Sequence, residues 1–285
     1  MRFEHILEKI FLSAAIISVF VTVFIFGFMF FLGFPLIEGG HFFRLLTQSW
    51  MPDRGIYGIY PMIIGTLSIA SLALFFSFPL SIGCAALICN ADGGKLSWML
   101  KKAVQLMTGV PTVVYGFVGI FLLVPIIREL FNGGAGMCIL SASLLLAILI
   151  SPTMILFFAE SFAQVPKSYL YAVDALGGSK AQKLLYVIIP SSWHGILTGL
   201  VLSLGRAMGD TLIALMIAGN AVAIPHSVLD SARSLTSHIA LVIAADFDSL
   251  EFRTLFACGI VLYVFTTLIV IVIRRVGVFS GHSVS

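Results

Sequence analysis

Two residues able to do chemistry stand four apart in an oily stretch: Arg206 and Asp210, within LSLGRAMGDTLIALMIAGN from Leu202 to Asn220. An arginine at the centre of a membrane helix costs roughly 2.5–3.5 kcal/mol on insertion scales, so it needs a partner or a wet path to face. Its guanidinium is always charged and offers a planar fork suited to the oxygens of phosphate-like anions. On a continuous helix, a spacing of four puts both side chains on one face, where the carboxylate can hold the fork and keep the empty site near neutral. The competing role is structural, an ion pair that only fixes packing, for which apolar residues often serve as well. Gly205, Gly209 and Gly219 let backbones approach closely, as where helices pack or a path opens.

The elements that must position this pair belong to a membrane protein. Of 285 residues, 60% are hydrophobic and 10% charged, with a mean hydropathy of +1.10, against roughly 25% charged in a soluble domain. So little polar surface could not cover a soluble globule of this size, and the solvent must be lipid. The net charge of +3, without a basic run longer than a pair or aromatics interleaved with one, excludes nucleic acid as a partner. Cys84, Cys89, Cys138 and Cys258 have apolar neighbours, no CxxC pair and no spaced histidine. They read as inert buried thiols, so no metal is expected. GGKLS at Gly93–Ser97 is not a phosphate loop, because Cys89 and Leu96 stand where glycine and Ser or Thr are needed. No cofactor or nucleotide site is therefore expected on this chain.

Charge-poor runs of about 20 residues mark six crossings: Ile10 to Phe34, about 60–89, Ala103 to Ile127, about 137–159, about 194–219 and Thr254 to Ile273. The first is too long and too rich in phenylalanine to be a cleavable leader. Six crossings put both termini on one side. Placing them in the cytoplasm, with the 90–102 and 160–193 loops, puts every lysine inside and leaves five arginines outside, as the positive-inside rule prefers. The reading is an all-α integral membrane protein with six transmembrane helices, both termini cytoplasmic. It forms one domain, 1–285, with an N-terminal helix and external loop in 1–59 and a core in 60–277. Ser151-Pro152-Thr153 is expected to kink the fourth crossing, the freed carbonyl being satisfied by neighbours. Asn132–Gly136 reads as an external turn, and His194, His226 and His238 lack spaced partners.

The cytoplasmic loop, VPKSYLYAVDALGGSKAQKLLYVIIPSSWHGI, is patterned as helix, glycine turn and helix. Pro166 can open the first helix, Gly177-Gly178 allows the left-handed turn that ends it, and Pro190 stops the second piece before the fifth crossing. Such an object is either a lever on which a partner docks or an amphipathic segment lying on lipid head groups. The external loop, 220–253, is slightly acidic.

The cytoplasmic loop resembles the EAA motif of ABC-importer permeases: EAA, three residues, glycine, nine residues, I-x-L-P. Tyr171-Ala172-Val173 takes the EAA place, Gly177 the glycine, Val187 the isoleucine and Ile189-Pro190 the L-P, with Tyr171 replacing the glutamate. Asp174 is the nearest substitute carboxylate. GRAMGDT followed by GN is similar to the GRALGET…GN signature of the PstC-like permeases of phosphate importers, as are TGVPTVVYGFVGI in the third crossing and IPHSVLDSARSLTSHIA in the external loop. The resemblance, covering about residues 60–277, implies a type I ABC-importer permease fold in a bacterial plasma membrane. It further implies coupling helices at 165–190 that seat in a groove on a dimer of ATP-binding subunits. A PstA-like second permease subunit and an extracytoplasmic phosphate-binding protein would complete the assembly. The pathway arginine maps to Arg206 and its acidic companion to Asp210, a glutamate-to-aspartate change.

The expected function is import of inorganic phosphate through a transport subunit, with ATP bound and hydrolysed by the partner. Molybdate or sulfate is the alternative substrate within the same class. An ion-coupled transporter would show inverted repeats and more intramembrane carboxylates. An intramembrane enzyme would need an acid, base or metal constellation that a lone Arg–Asp pair does not provide.

Overall fold

In the computed structural model, residues 2–37, 41–90, 94–131, 134–247 and 249–281 are described. The chain opens with α1 (Arg2–Ile37), a long helix whose charged first turns give way to an apolar stretch, followed by α2 (His41–Thr47) and a two-stranded hairpin, β1 (Trp50–Met51) and β2 (Ile56–Tyr57), joined through a 3-10 turn at Pro52–Arg54. A second long apolar helix, α3 (Tyr60–Asn90), returns across. Then come α4 (Lys95–Thr108), α5 (Thr112–Val118), a π-turn at Gly119–Leu123 and α6 (Val124–Leu130). α7 (Ile139–Ala163) crosses back and leads into α8 (Lys167–Ala175), α9 (Lys180–Lys183), a second π-turn at Leu184–Ile188 and α10 (Ile189–Ser191). The last part holds α11 (Trp193–Gly209), α12 (Leu212–Ile217), α13 (Leu235–Val242) and α14 (Leu250–Gly281).

Among the described residues five stretches are long and apolar enough to cross a membrane, and the pair at 180–209, bent by 71°, makes a sixth only when its two helices are taken as one span. α7 is the hub. It packs against α3, α4 and α11, and its buried Ser141, Ala142, Ser143, Ala147 and Ser151 are small enough to let neighbouring backbones come close. Pro152 removes one helical hydrogen bond, yet α7 continues through it. The carbonyl four residues back, that of Ile148, accepts instead from the Ser151 hydroxyl at 3.0 Å. α1 stands at the periphery, touching α14 through Phe26 on Tyr263 (4.8 Å between ring centres) and Phe28 on Phe256 (6.2 Å).

The expected crossings are corrected in two places. The third is not one helix over 103–127: it breaks at Gly109-Val110-Pro111. Pro111 is extended at φ −60°, ψ 141°, and a proline pushes the residue before it out of helical conformation. α4 is thus an amphipathic helix with Lys95, Lys101 and Lys102 on its surface, and the crossing runs over 112–130. The fifth is also interrupted, between Gly209 and Leu212. The turn expected at 132–136 lies partly outside the described residues; Gly134 and Gly136 both have positive φ.

Candidate functional site

The interruption changes the relation between the two charges. α11 stops at Gly209, and Asp210 leaves the helix at φ −72°, ψ 122°, so Arg206 and Asp210 do not share a helical face. They form no salt bridge among the described residues. Each is met by a helix end instead. Arg206 lies in the last turn of α11, where the unpaired carbonyls favour a cation. Asp210 accepts from the Ile213 N–H at 2.9 Å, capping the start of α12. Each charge sits at the helix end of opposite partial charge; the expected ion pair is not formed, although Asp210 stays near enough to feel the Arg206 charge.

The half-buried Arg206 guanidinium donates through Nη1 to Thr153 Oγ1 on α7 at 3.0 Å. Thr153 follows Pro152, so the Ser-Pro-Thr stretch and the arginine meet at one place. A neutral hydroxyl orients the fork without cancelling its charge, and four N–H donors remain for an anion. Tyr115 on α5 lies close enough to feel the Arg206 charge, and its hydroxyl donates to the Met107 carbonyl across the third-crossing break.

One face of α11 is unpacked. At 100° per residue, His194, Thr198, Leu202, Gly205 and Gly209 form a stripe along it. A side chain added at Gly205 or Gly209 would meet nothing within 4 Å. These two glycines therefore do not admit a neighbouring backbone within this chain; Arg206 flanks an open face. Gly219 does serve close approach: at φ 85° a Cβ there would strike Ser231 Oγ and the Met137 carbonyl.

The external loop folds back against the break. Thr236 Oγ1 donates to the Asp210 carbonyl at 3.0 Å, and the Leu235 N–H donates to Thr66 Oγ1 on α3 at 2.9 Å. Ser234 caps α13, and His238 is fully buried with its ring 4.4 Å from that of Trp50 in a T-shaped contact. Burial, reinforced by the nearby Arg233 charge, pushes His238 down to about 4. Asp230 closes the turn before it, and N–H donors from His226 and Ser227, both at 2.8 Å, hold its carboxylate below the usual range.

The cytoplasmic loop has the expected helix–turn–helix form. α8 ends at Gly177, whose φ of 74° suits glycine, and Ser179 with Gln182 forms a capping box that starts α9. Pro190 does not end the second piece as expected. The π-turn ahead of it widens the helix and α10 continues to Ser191. The stop comes at Ser192, where the axis turns by 71° into α11. Ser192 is buried and its hydroxyl donates to the Ser161 carbonyl of α7 at 3.0 Å, which pins a bend that sequence patterning does not mark. Asp174 forms a 2.6 Å salt bridge to Lys183, so this carboxylate braces α8 against α9. Tyr169, Tyr171, Leu176, Leu185 and Tyr186 stand exposed on this charged loop, and Ala172, Gly177 and Pro190 are exposed with them. Apolar exposure of this kind suits either role expected of the loop, docking of a partner or contact with lipid head groups.

Residues 77–277 match the family of binding-protein-dependent transport system inner membrane components. The chain belongs to this family. It is therefore a multi-pass inner-membrane transport component that works with an ATP-binding subunit and an extracytoplasmic substrate-binding protein. Among curated relatives it is 32% identical over 243 residues to a probable ABC transporter permease of Bacillus subtilis, covering 84% of this chain and 79% of that one. It is 30% identical over 297 residues to a probable phosphate transport system permease of Methanocaldococcus jannaschii (95% and 91%), and 30% identical over 258 residues to that of Haemophilus influenzae (83% and 80%). Of solved structures, a bacterial ABC transporter involved in alginate import matches with a TM-score of 0.68 at 14% identity, covering 97% of this chain and 98% of that one. The inward-facing methionine transporter MetNI matches at 0.61 and 16%, covering 81% and 96%. These likenesses establish the type I importer permease fold.

Proposed function

We propose that this chain is the PstC-like permease subunit of an ATP-driven importer of inorganic phosphate. The observation that carries the reading is Arg206: an arginine in the last turn of α11, oriented by a neutral threonine and beside an open helix face. A PstA-like second permease subunit covers that face and supplies the other wall of the path. Phosphate released by the binding protein passes the Arg206 fork, which contacts its oxygens bidentately. Asp210 forms no ion pair with the fork; it caps α12, holds the α11–α12 break in shape and stays near enough to feel the Arg206 charge. ATP is bound and hydrolysed on the partner dimer, which grips the exposed apolar surface of 167–190 and turns the loop about Ser192. The differential grip of nucleotide states on this loop is what shifts the bundle between its inward and outward states.

Replacing Arg206 by glutamine keeps the size and removes the charge. A charged hydrogen bond contributes about 1.5–3 kcal/mol, so phosphate uptake at normal membrane insertion is expected to fall roughly ten- to a hundredfold. Undiminished uptake by Arg206→Gln removes the arginine from the mechanism, and uptake of sulfate or molybdate in place of phosphate by the unaltered complex reassigns the substrate.

A further inference from the structure

Outside the helix break, on the external side, two further arginines line a cavity of about 420 Å3 that the pathway described above does not include. Trp50, Asp53 and Arg54 wall it from the hairpin loop, and Val222 and Arg233 from the segment returning after α12. At about 30 Å3 per water in the liquid, it has room for an oxyanion together with much of its hydration shell.

Arg233 is held in this wall with some care. Its Nε donates to the Asn220 carbonyl at 3.1 Å, and Asn220 has a φ of 60°. A left-handed asparagine is tolerated at a cost of order 1 kcal/mol where its surroundings over-determine it. Here they do: Nδ2 donates to the Leu215 carbonyl at 2.6 Å and the backbone N–H to the Ala232 carbonyl at 3.1 Å. The fork is thus anchored along its Nε side while its other N–H groups stay unassigned. Neither Arg54 nor Arg233 forms a salt bridge among the described residues. With Asp53 the only carboxylate in the wall, the cavity carries an excess positive charge. The segment continues from Arg233 to Thr236, which holds the Asp210 carbonyl, so three residues of chain link this wall to the break that follows Arg206.

We propose that the cavity is an external receiving site for a tetrahedral oxyanion, which rests between Arg54 and Arg233 before it passes to Arg206. The identity of the anion and its onward passage to Arg206 rest on the phosphate-import reading; the site between Arg54 and Arg233 does not. Two positive sites in series, each incompletely neutralised, let an anion advance without returning to bulk water.

Met51 lines the same cavity and is exposed, which gives a probe independent of transport. In the complete complex in lipid vesicles, with each rate divided by that reagent's rate on a free thiol, Met51→Cys is expected to react about five- to tenfold faster with an anionic, membrane-impermeant thiosulfonate than with a cationic one, from one net charge at a few ångströms in a wet site. Millimolar inorganic phosphate should slow the anionic reagent, and Arg54→Gln or Arg233→Gln should bring the two rates together. Arg54 is exposed, so its variant keeps the test valid if Arg233→Gln does not assemble. Equal rates for the two reagents, or no slowing by phosphate, overturns the proposal. Phosphate protection together with undiminished uptake by Arg206→Gln sustains the cavity and sinks the pathway reading. Lost uptake by Arg206→Gln without protection does the reverse.

Discussion

The two long interruptions between crossings, the cytoplasmic loop before α11 and the external segment after α12, are built in opposite ways. The cytoplasmic loop is held together by local contacts, the Ser179–Gln182 capping box and the Asp174–Lys183 bridge, and it presents Tyr171, Leu176 and Leu185 outward. The external segment buries Ser234, Leu235, Thr236, Ser237 and His238 and bonds to α3, to the Asp210 carbonyl and to the carbonyl of Ala218. Ile188 buries in the core, with Leu170, Leu184, Val187 and Ile189 packed against it, so the loop is seated on the bundle by one apolar face and leaves the other outward; the external segment is a frame stitched into the bundle by hydrogen bonds. The contrast teaches what each end is built to do. The cytoplasmic loop keeps apolar side chains outward for the proposed partner, while the external frame ties the Asp210 end of the same crossing to Thr236 and α3.

The largest expected effect comes from breaking the frame. His238→Ala removes a fully buried ring from Trp50 and leaves a cavity, and a loss of about 2–4 kcal/mol is expected, read as a lowered Tm of the purified complex. The same residue gives the frame a pH signature. Folded His238 resists protonation down to about 4, whereas the unfolded residue binds a proton near 6.5. The unfolded state therefore takes up more protons in that window, and stability falls as pH drops from about 6.5 toward 4. In His238→Gln the slope of Tm against pH over this range should flatten; an unchanged slope assigns the dependence to other groups.

On the lever the opposite pattern is expected, lost coupling with little lost stability. Leu176→Glu and Leu185→Glu put a charge on the exposed apolar surface without touching the core. Phosphate uptake and retention of the ATP-binding subunit should fall about tenfold or more, the range of hot-spot residues at an interface, while Tm stays within a degree or two. A comparable fall in Tm would mean that Leu176 and Leu185 are part of the core, and the contrast would fail. The smallest effect is expected at the brace. Asp174→Asn removes a half-exposed pair that contributes about 0–1 kcal/mol, so Tm should hardly move and uptake should fall at most a few-fold. A loss as large as that of Leu176→Glu would make Asp174 a direct contact of the ATPase.

Much of this was legible in the sequence because lipid leaves few options. A run such as Ala142–Ile150 has to be helical in a membrane, since its backbone groups have no water to bond, and the lysines mark the inside. Gly177 was legible as a helix end for a similarly local reason. Arg206 could be singled out because a charge in oil is conspicuous. Its partner could not: Thr153 lies 53 residues away, and nothing about a threonine beside a proline announces an arginine. Ser192 carries no such mark, because serine is ordinary near a helix start, and only the bond to Ser161 fixes the bend there.

The composition, the alternation of crossings and the motif spacings of 171–190 and 205–210 were determined by the sequence alone, because each follows from local chemistry repeated along the chain. Whether Asp210 faced Arg206 was decided by tertiary structure. Helical spacing predicts a shared face only if the helix continues, and here Thr236 and the α12 N-terminus stabilise an extended Asp210 that ends it. The same holds for the external cavity, whose two arginines are 179 positions apart in the chain and are brought together only by the packing of two loops on one end of the bundle.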